Sequence, residues 1–233
     1  MRQGARYLAL ILFFFPLASF AQSFMPAYAH AGNMHAIVVD QKGDTTRGIV
    51  TWMNHDRNIK ELTVKDDQGV KHKFEEQDLK IVLAALNDLN KIAMSLQSSS
   101  AKDMSQTDFD QVAKAQYYIW EPAITPKKGK LKVMQLVNQG FDSKMKVYRD
   151  PTAQETSGVG VAGMKLTGGI EKSYYLVKSG EEVAILMKKG DYKSQFYEVF
   201  KSCPEMEQLL EGKKPDWDDF AKHVFEYEKR CKD

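Results

Sequence analysis

Short apolar stretches separated by turn residues are the feature that most constrains the fold of this chain. Each stretch spans five to seven residues, and residues 59–65 alternate between apolar and polar side chains. Lys42-Gly43-Asp44 and Asp67-Gln68-Gly69 lie between such stretches and are typical of tight turns, while Gly48 inside the second stretch suggests a β-bulge. The pattern predicts antiparallel β-structure, a meander or a small roll. The stretches are residues 35–40, 47–53, 59–65, 70–74, 116–120, 131–137, 144–149, 172–178 and 183–189.

A different period begins at Leu79. Apolar residues recur at steps of three and four as far as Leu96, which predicts a mid-chain helix with one apolar stripe and Asp78 as its N-cap. Residues 98–111 are polar and rich in serine, which predicts a linker. The expected organisation is therefore a β-rich half ending in a helix (residues 22–97), the linker, and a second antiparallel region (residues 112–190).

Helical periodicity returns in residues 191–233, where Pro204 and Pro215 separate the apolar stripes. The only two cysteines of the chain, Cys203 and Cys231, each continue one of these stripes. We therefore predict a disulfide-linked helical tail and an α+β fold class. A reactive thiol and metal ligation are the alternatives, but neither a C-x-x-C spacing nor a histidine close to Cys203 supports them.

Residues 1–21 have the three parts of a secretory signal peptide. Arg2 and Arg6 precede an apolar run, and small residues stand at the −3 and −1 positions before Gln22. The run is shorter than the roughly 20 residues that a membrane-spanning helix needs. We expect cleavage before Gln22, no membrane insertion after it, and a periplasmic or secreted protein in which a disulfide persists.

The chain resembles a group of exported proteins of unknown function from Bacteroidota. The resemblance rests on Gly43-Asp44-Thr45-Thr46-Arg47-Gly48, which reads as a GDTxxG turn, on the strand pair within residues 131–148, on Tyr174-Tyr175-Leu176, and on the helical tail with its two cysteines. At Tyr227-Glu228 this chain departs from the Tyr-Asn of that group. The resemblance implies an envelope protein and assigns no catalytic residue.

Composition and motifs exclude several kinds of chemistry. Outside residues 1–21, lysines and arginines equal the acids at 31 each, so no basic footprint for nucleic acid is present. Residues 158–163 match G-x-G-x-x-G, but neither a buried strand before them nor a helix after them is predicted, and we expect no cofactor. The sequence has no G-x-S-x-G and no H-E-x-x-H, the local signatures of serine hydrolases and zinc proteases.

Two sets of residues remain as candidate sites. If Tyr118 and Trp120 share an exposed strand face they could stack on a sugar, and if they point inward they belong to the core. The second set is Met25, His30, Met34 and His35, whose thioether and imidazole groups suit copper. The alternative for this set is that Met34 packs in the core at the start of a strand.

These observations favour an exported envelope protein that binds or scaffolds an unknown envelope component or protein, without nucleic acid. An envelope glycan or peptide hydrolase with a scattered active site is the alternative, together with the copper-binding protein described above. A cleft with converging carboxylates or histidines would favour the hydrolase.

Overall fold

A computed structural model of the chain describes residues 24–25, 27–28, 34–55, 58–86, 117–153, 160–161, 164–165 and 171–232. The predicted signal peptide, the linker at residues 98–111, His30, and the part of the predicted helix beyond residue 86 lie outside them. The strands are β1 (Met34–Asp40), β2 (Thr45–His55), β3 (Asn58–Lys65), β4 (Lys71–Glu75), β5 (Leu79–Ala85), β6 (Tyr117–Ile124), β7 (Leu131–Leu136), β8 (Met145–Arg149), β9 (Gly160–Val161), β10 (Met164–Lys165), β11 (Ser173–Lys178) and β12 (Ile185–Lys188).

Ten of these strands form one mostly antiparallel sheet, which curls into a roll and closes at β7. One edge of β7 pairs with β6. On its other edge, Val133 lies opposite Ile59 of β3, and Leu136 lies opposite Tyr148 of β8. The result is a closed ring of six strands in the order β1, β2, β3, β7, β6 and β5. Strand β4 extends the sheet from β3, and β8, β11 and β12 extend it from β7, so both β-rich halves share one sheet.

The interior of the ring is apolar because side chains alternate across each strand. On β1, Met34, Ala36 and Val38 are buried, and His35 between them is exposed. Gly48 faces Ala36 across the β1–β2 pair. A Cβ at Gly48 would lie 2.1 Å from the carbonyl oxygen of Lys65, so the glycine is required by close backbone approach. The register shifts that mark irregularity in β2 lie further along, beyond Val50.

The prediction of a helix from Leu79 is wrong for its described part. Residues Leu79–Ala85 form β5, which pairs with β1 on one side and with β6 on the other. Leu79, Val82 and Ala84 are buried. This short apolar run fits both the helical period and the strand period. Backbone pairing on both edges favours the strand, and β-branched side chains such as Ile81 pack well in a sheet. Asp78 accepts from the backbone N–H of Glu75 at 2.9 Å in a short 3₁₀ turn that precedes the strand.

The end of β6 also differs from the prediction. The sequence predicts that Glu121-Pro122 ends the strand, but β6 continues to Ile124. Pairing with β5 stops at Trp120, and Pro122 occupies a position opposite Val133 where its nitrogen faces away from β7. No ladder hydrogen bond is therefore lost to the missing N–H.

The predicted C-terminal helices are confirmed as α1 (Tyr192–Val199), α2 (Pro204–Leu209) and α3 (Phe220–Arg230). Their buried faces form an aromatic cluster in which Tyr192 makes edge contacts with Phe196 and Trp217 at 5.9 and 5.3 Å between ring centroids. The predicted disulfide is also confirmed. Cys203, the residue before α2, is bonded to Cys231, the residue after α3, with 5.5 Å between their Cα atoms.

Phe24 and Tyr28, which precede β1, join the helices to the roll. The ring of Phe24 makes edge contacts with Tyr174 and Phe220 at 5.1 and 5.4 Å. A few residues later, Tyr28 packs edge-on against Trp120 at 5.1 Å and donates a hydrogen bond to Met34 Sδ at 2.6 Å. Burial raises the pKa of the Tyr28 hydroxyl to about 12.

Candidate functional site

A cleft of about 480 Å³ opens on the outer face of the sheet, over β6, β8 and β11. Its sides are the loop between β7 and β8 and the turn between β11 and β12. Apolar side chains form part of its lining, among them Ala123, Met145 and Val177. Charged side chains of both signs complete the lining, namely Lys80, Glu121, Asp142, Lys146, Lys178, Glu181 and Glu182. The volume lies within the range of small-molecule sites.

Strand alternation places the central polar groups in this cleft. On β6, Trp120 points into the core and Glu121 points out, and on β8 Val147 points in while Lys146 and Tyr148 point out. The outer face of the sheet here carries a second, smaller apolar cluster that includes Tyr148. The ring of Tyr148 thus belongs to this apolar cluster while its hydroxyl group faces the polar groups of the cleft.

Glu121 is the centre of a short hydrogen-bond network. Its Oε2 atom accepts from Lys146 Nζ at 2.6 Å and from the Tyr148 hydroxyl at 3.0 Å. Burial raises the pKa of Tyr148 well above its ordinary value, and the charge of Glu121 adds to this effect. Within the described residues, Glu121 Oε1 has no hydrogen-bond partner. The network thus holds a carboxylate in place with one oxygen still able to accept.

Asp142 is a second carboxyl group in the cleft, in a different environment. It lies on the β7–β8 loop, where its Oδ1 accepts from the backbone N–H of Gly140 at 3.2 Å. Burial raises the pKa of Asp142, and the Gly140 hydrogen bond and the charge of Lys146 oppose that rise without cancelling it. Asp142 therefore retains a proton to higher pH than an exposed aspartate does.

Two lysines flank these carboxyl groups, Lys80 on β5 and Lys178 at the end of β11. In the described part of the chain neither ammonium group makes a hydrogen bond or an ion pair. Burial lowers the pKa of Lys178, and the nearby charge of Lys201 lowers it further. Both amines have free hydrogen-bonding capacity at the cleft.

The loop that carries Asp142 is tied to the end of α3. The backbone N–H of Lys144 donates to Glu228 Oε2 at 2.9 Å, and the Ser143 hydroxyl donates to Glu228 Oε1. Lys144 Nζ donates to the backbone oxygen of Glu228 at 2.9 Å and to that of Cys231. A cation that binds the last carbonyls of a helix stabilises the helix C-terminus. The cleft loop, the helix end and the disulfide are therefore adjacent and joined by hydrogen bonds.

The two sequence-predicted aromatic residues lie in the core, as their alternative interpretation predicts. Tyr118 is fully buried and Trp120 is 4% exposed, and both rings pack against Tyr28. Burial raises the pKa of Tyr118. Both rings are therefore part of the core and not of the sheet's exposed surface.

The described members of the copper set do not converge. Met34 is buried and accepts from Tyr28, while His35 points to the opposite, exposed face of β1. Met25 is buried in the core, and His30 lies outside the described residues. Because neighbouring residues of a strand face opposite sides, Met34 and His35 are not placed to bind one ion together. In the part of the chain that the structure covers, no group of three or more histidine, cysteine, aspartate or glutamate residues is arranged to hold a metal.

Sequence reasoning missed the cleft residues. Glu121 follows a predicted strand and reads as part of a turn, and Lys146 and Tyr148 read as the polar face of an ordinary strand. The one available signal was the pair of alternating polar residues on β8, which cannot by itself show which strand lies opposite.

None of the helices in the described ranges has the length and apolar character needed to cross a bilayer. Comparisons with family models, curated protein sequences and solved structures find no match to this chain.

Proposed function

We propose that this chain is an exported protein of the cell envelope that binds a polar ligand or partner in the cleft over β6, β8 and β11. The observation that carries the proposal is the Glu121 network, a carboxylate held by Lys146 and Tyr148 inside a concave site with unused hydrogen-bonding groups. The disulfide supports a compartment outside the cytoplasm. The signal-like N-terminus and the resemblance to exported Bacteroidota proteins support the periplasm or the cell exterior.

Binding is favoured over catalysis by what Glu121 contacts. A carboxylate oxygen that accepts from both an ammonium and a hydroxyl group fixes the positions of those side chains. Glu121 Oε2 receives both. Its role is therefore to hold the site in shape and to present Oε1 to a ligand.

Site-specific photocrosslinking in intact cells tests the proposal. A photoreactive residue replaces Glu182 on the cleft rim in one variant and replaces Lys71, an exposed residue of β4, in a matched control. We expect an adduct from position 182 only, and we expect Lys146→Met to reduce its yield. Equal adducts from both positions, or none at position 182, would contradict binding in the cleft.

Export is tested separately by the mature N-terminus and by cell fractionation. We expect terminal sequencing of the purified protein to begin at Gln22 and the protein to be in the periplasmic or secreted fraction. Retention of Met1, or membrane association that survives a salt wash, would contradict this part of the proposal.

A hydrolase is the second candidate function, because two carboxyl groups in different environments share the cleft. Asp142, whose pKa is raised by burial, would act as the acid, and Glu121 would act on the opposite side of the scissile bond. Asp142→Asn distinguishes the candidates. Turnover of envelope glycans or peptides that is lost in this variant would support the hydrolase, and adduct formation at position 182 without turnover would support binding.

A further inference from the structure

The cleft is lined by cationic and anionic side chains, and some of their hydrogen-bonding positions are not occupied by described residues. Lys80 and Lys178 present two ammonium groups that make no hydrogen bond or ion pair with any described residue. Glu121 Oε1 and the Asp142 carboxyl group present acceptors between them, because β6 and the β7–β8 loop lie between β5 and β11 in the sheet. A ligand that uses both sets must itself carry both a donor-rich or cationic group and an anionic group.

This charge distribution argues against ligands that carry only negative or only positive charge. A phosphate-rich or sulfated ligand would meet the lysines but would also lie beside Glu121, Asp142, Glu181 and Glu182. A polyamine would meet the carboxyl groups and be opposed by the lysines. Because each of these ligands would be attracted by one set of charges in the cleft and repelled by the other, either gains less than a zwitterion does.

The apolar part of the lining limits the size and shape of the ligand. Ala123, Val177 and Met145 offer a small aliphatic surface, and the Tyr148 hydroxyl is already bonded to Glu121. Small aliphatic contacts suit a short side chain, whereas sugar sites commonly offer an exposed aromatic face. A volume of about 480 Å³ accommodates a small molecule but not a folded partner.

We infer that the cleft binds a short peptide with a free ammonium group and a free carboxylate. The ammonium group donates to Glu121 Oε1 and Asp142, the carboxylate accepts from Lys178 or Lys80, and a small side chain contacts Ala123 and Val177. This inference rests on the proposed function and names the ligand class of the same site.

Titration calorimetry with the full mature protein tests the inference. The probe is L-alanyl-L-alanine, and three comparison ligands are its N-acetylated amide, N-acetylglucosamine and inorganic phosphate. We expect the zwitterionic dipeptide to bind, and we expect its capped form, which keeps the same side chains without end charges, to bind at least tenfold more weakly. Binding of the capped dipeptide with equal affinity, or preferential binding of the sugar or of phosphate, would overturn the inference.

Matched variants locate the binding site. Lys178→Met and Lys80→Met remove ammonium groups that make no hydrogen bond or ion pair with the described chain. The fold is therefore expected to persist, which circular dichroism checks. We expect at least one of these variants to weaken dipeptide binding tenfold or more, and Lys71→Met on β4 to leave it unchanged. Equal affinity in all three variants would place the dipeptide elsewhere and refute the inference.

The inference about the ligand class can fail while the proposed function, binding in the cleft, still holds. If photocrosslinking at position 182 captures a partner and the dipeptide does not bind, the cleft is a binding site for another ligand class. If the dipeptide does not bind and position 182 gives no adduct, both the proposed function and the inference fail.

Discussion

Removing the Cys203–Cys231 disulfide is expected to destabilise this protein strongly. The bond connects the residue before α2 to the residue after α3, across a sequence separation of 28. Both cysteines are buried, at 3% and 4% exposure, against the aromatic cluster. In the unfolded chain the bond closes the loop that contains α2 and α3, and this restriction raises the free energy of the unfolded state.

The chain-entropy relation gives a stabilisation of about 3.6 kcal/mol at 25 °C for a loop of this length. The free energy of unfolding of a single domain is about 5–15 kcal/mol, so the disulfide accounts for a large share of it. With a urea dependence of about 2 kcal/mol per molar, the unfolding midpoint is expected to fall by roughly 1.8 M. The double variant Cys203→Ala, Cys231→Ala is the suitable perturbation because alanine adds no polar group to the buried site.

Equilibrium urea unfolding, followed by circular dichroism and tryptophan fluorescence, measures the shift. The unmodified protein with and without reductant is compared with the double variant, in which reductant is expected to have no further effect. An unchanged midpoint in the double variant would refute the entropic argument. Two free thiols in the denatured, unreduced protein would refute the bond itself.

Three further perturbations probe other parts of the structure. Burial lowers the pKa of His223 to about 4 from 6.5, so the unfolded state binds the proton more tightly, and stability is expected to fall by about 2 kcal/mol between pH 7.5 and pH 5. Denaturant titrations at the two pH values measure this, and a loss of the same size in His223→Gln would show that other groups cause it. Gly48→Ala should lose about 1–3 kcal/mol because its Cβ would meet the Lys65 carbonyl, whereas Gly190→Ala, with open space around its Cβ, should lose much less; equal melting temperatures for the two variants would contradict the close-approach argument. Lys144→Met should lose about 1–2 kcal/mol with its two hydrogen bonds to the end of α3, and an unchanged urea midpoint would show that these bonds add nothing.

Much of the fold could be predicted from local pattern. Alternation in residues 59–65, and a short apolar run between turns in residues 131–137, predict strands. The observed β3 and β7 match these ranges closely. The disulfide was predictable because each cysteine continues a helical stripe whose buried face is set by its neighbours. These features depend on interactions within a few residues, or on burial alone.

The misassigned β5 shows where local pattern stops being sufficient. Leu79, Val82 and Leu86 satisfy a helical step, while Ile81, Leu83 and Ala85 recur at steps of two, the period of a strand. What decides between the two is the presence of β1 and β6 on either side, which supply backbone partners along the whole run. β6 begins more than thirty residues after β5 ends, so no short window of sequence contains the deciding interaction.

The cleft was unpredictable for a related reason. Glu121 and Lys146 come from strands that are not sheet neighbours, and their contact depends on how the sheet curls around β7. Each residue is unremarkable in its own strand, since a charged side chain on the outer face is the ordinary case. The sheet order places β6 and β8 on either side of β7, and their outward side chains meet over that strand.

Glu228 connects the C-terminal end of α3 to the loop that borders the cleft. Its two carboxylate oxygens accept from Ser143 and from the backbone of Lys144, on the loop that carries Asp142. An asparagine at this position would offer one acceptor oxygen in place of two. Because Lys144 also donates to the carbonyl of Cys231, one side chain joins the cleft loop to the disulfide as well as to the helix end. In this chain, therefore, Glu228 and Lys144 hold the loop that carries Asp142 against the end of α3, a helix that lines none of the cleft.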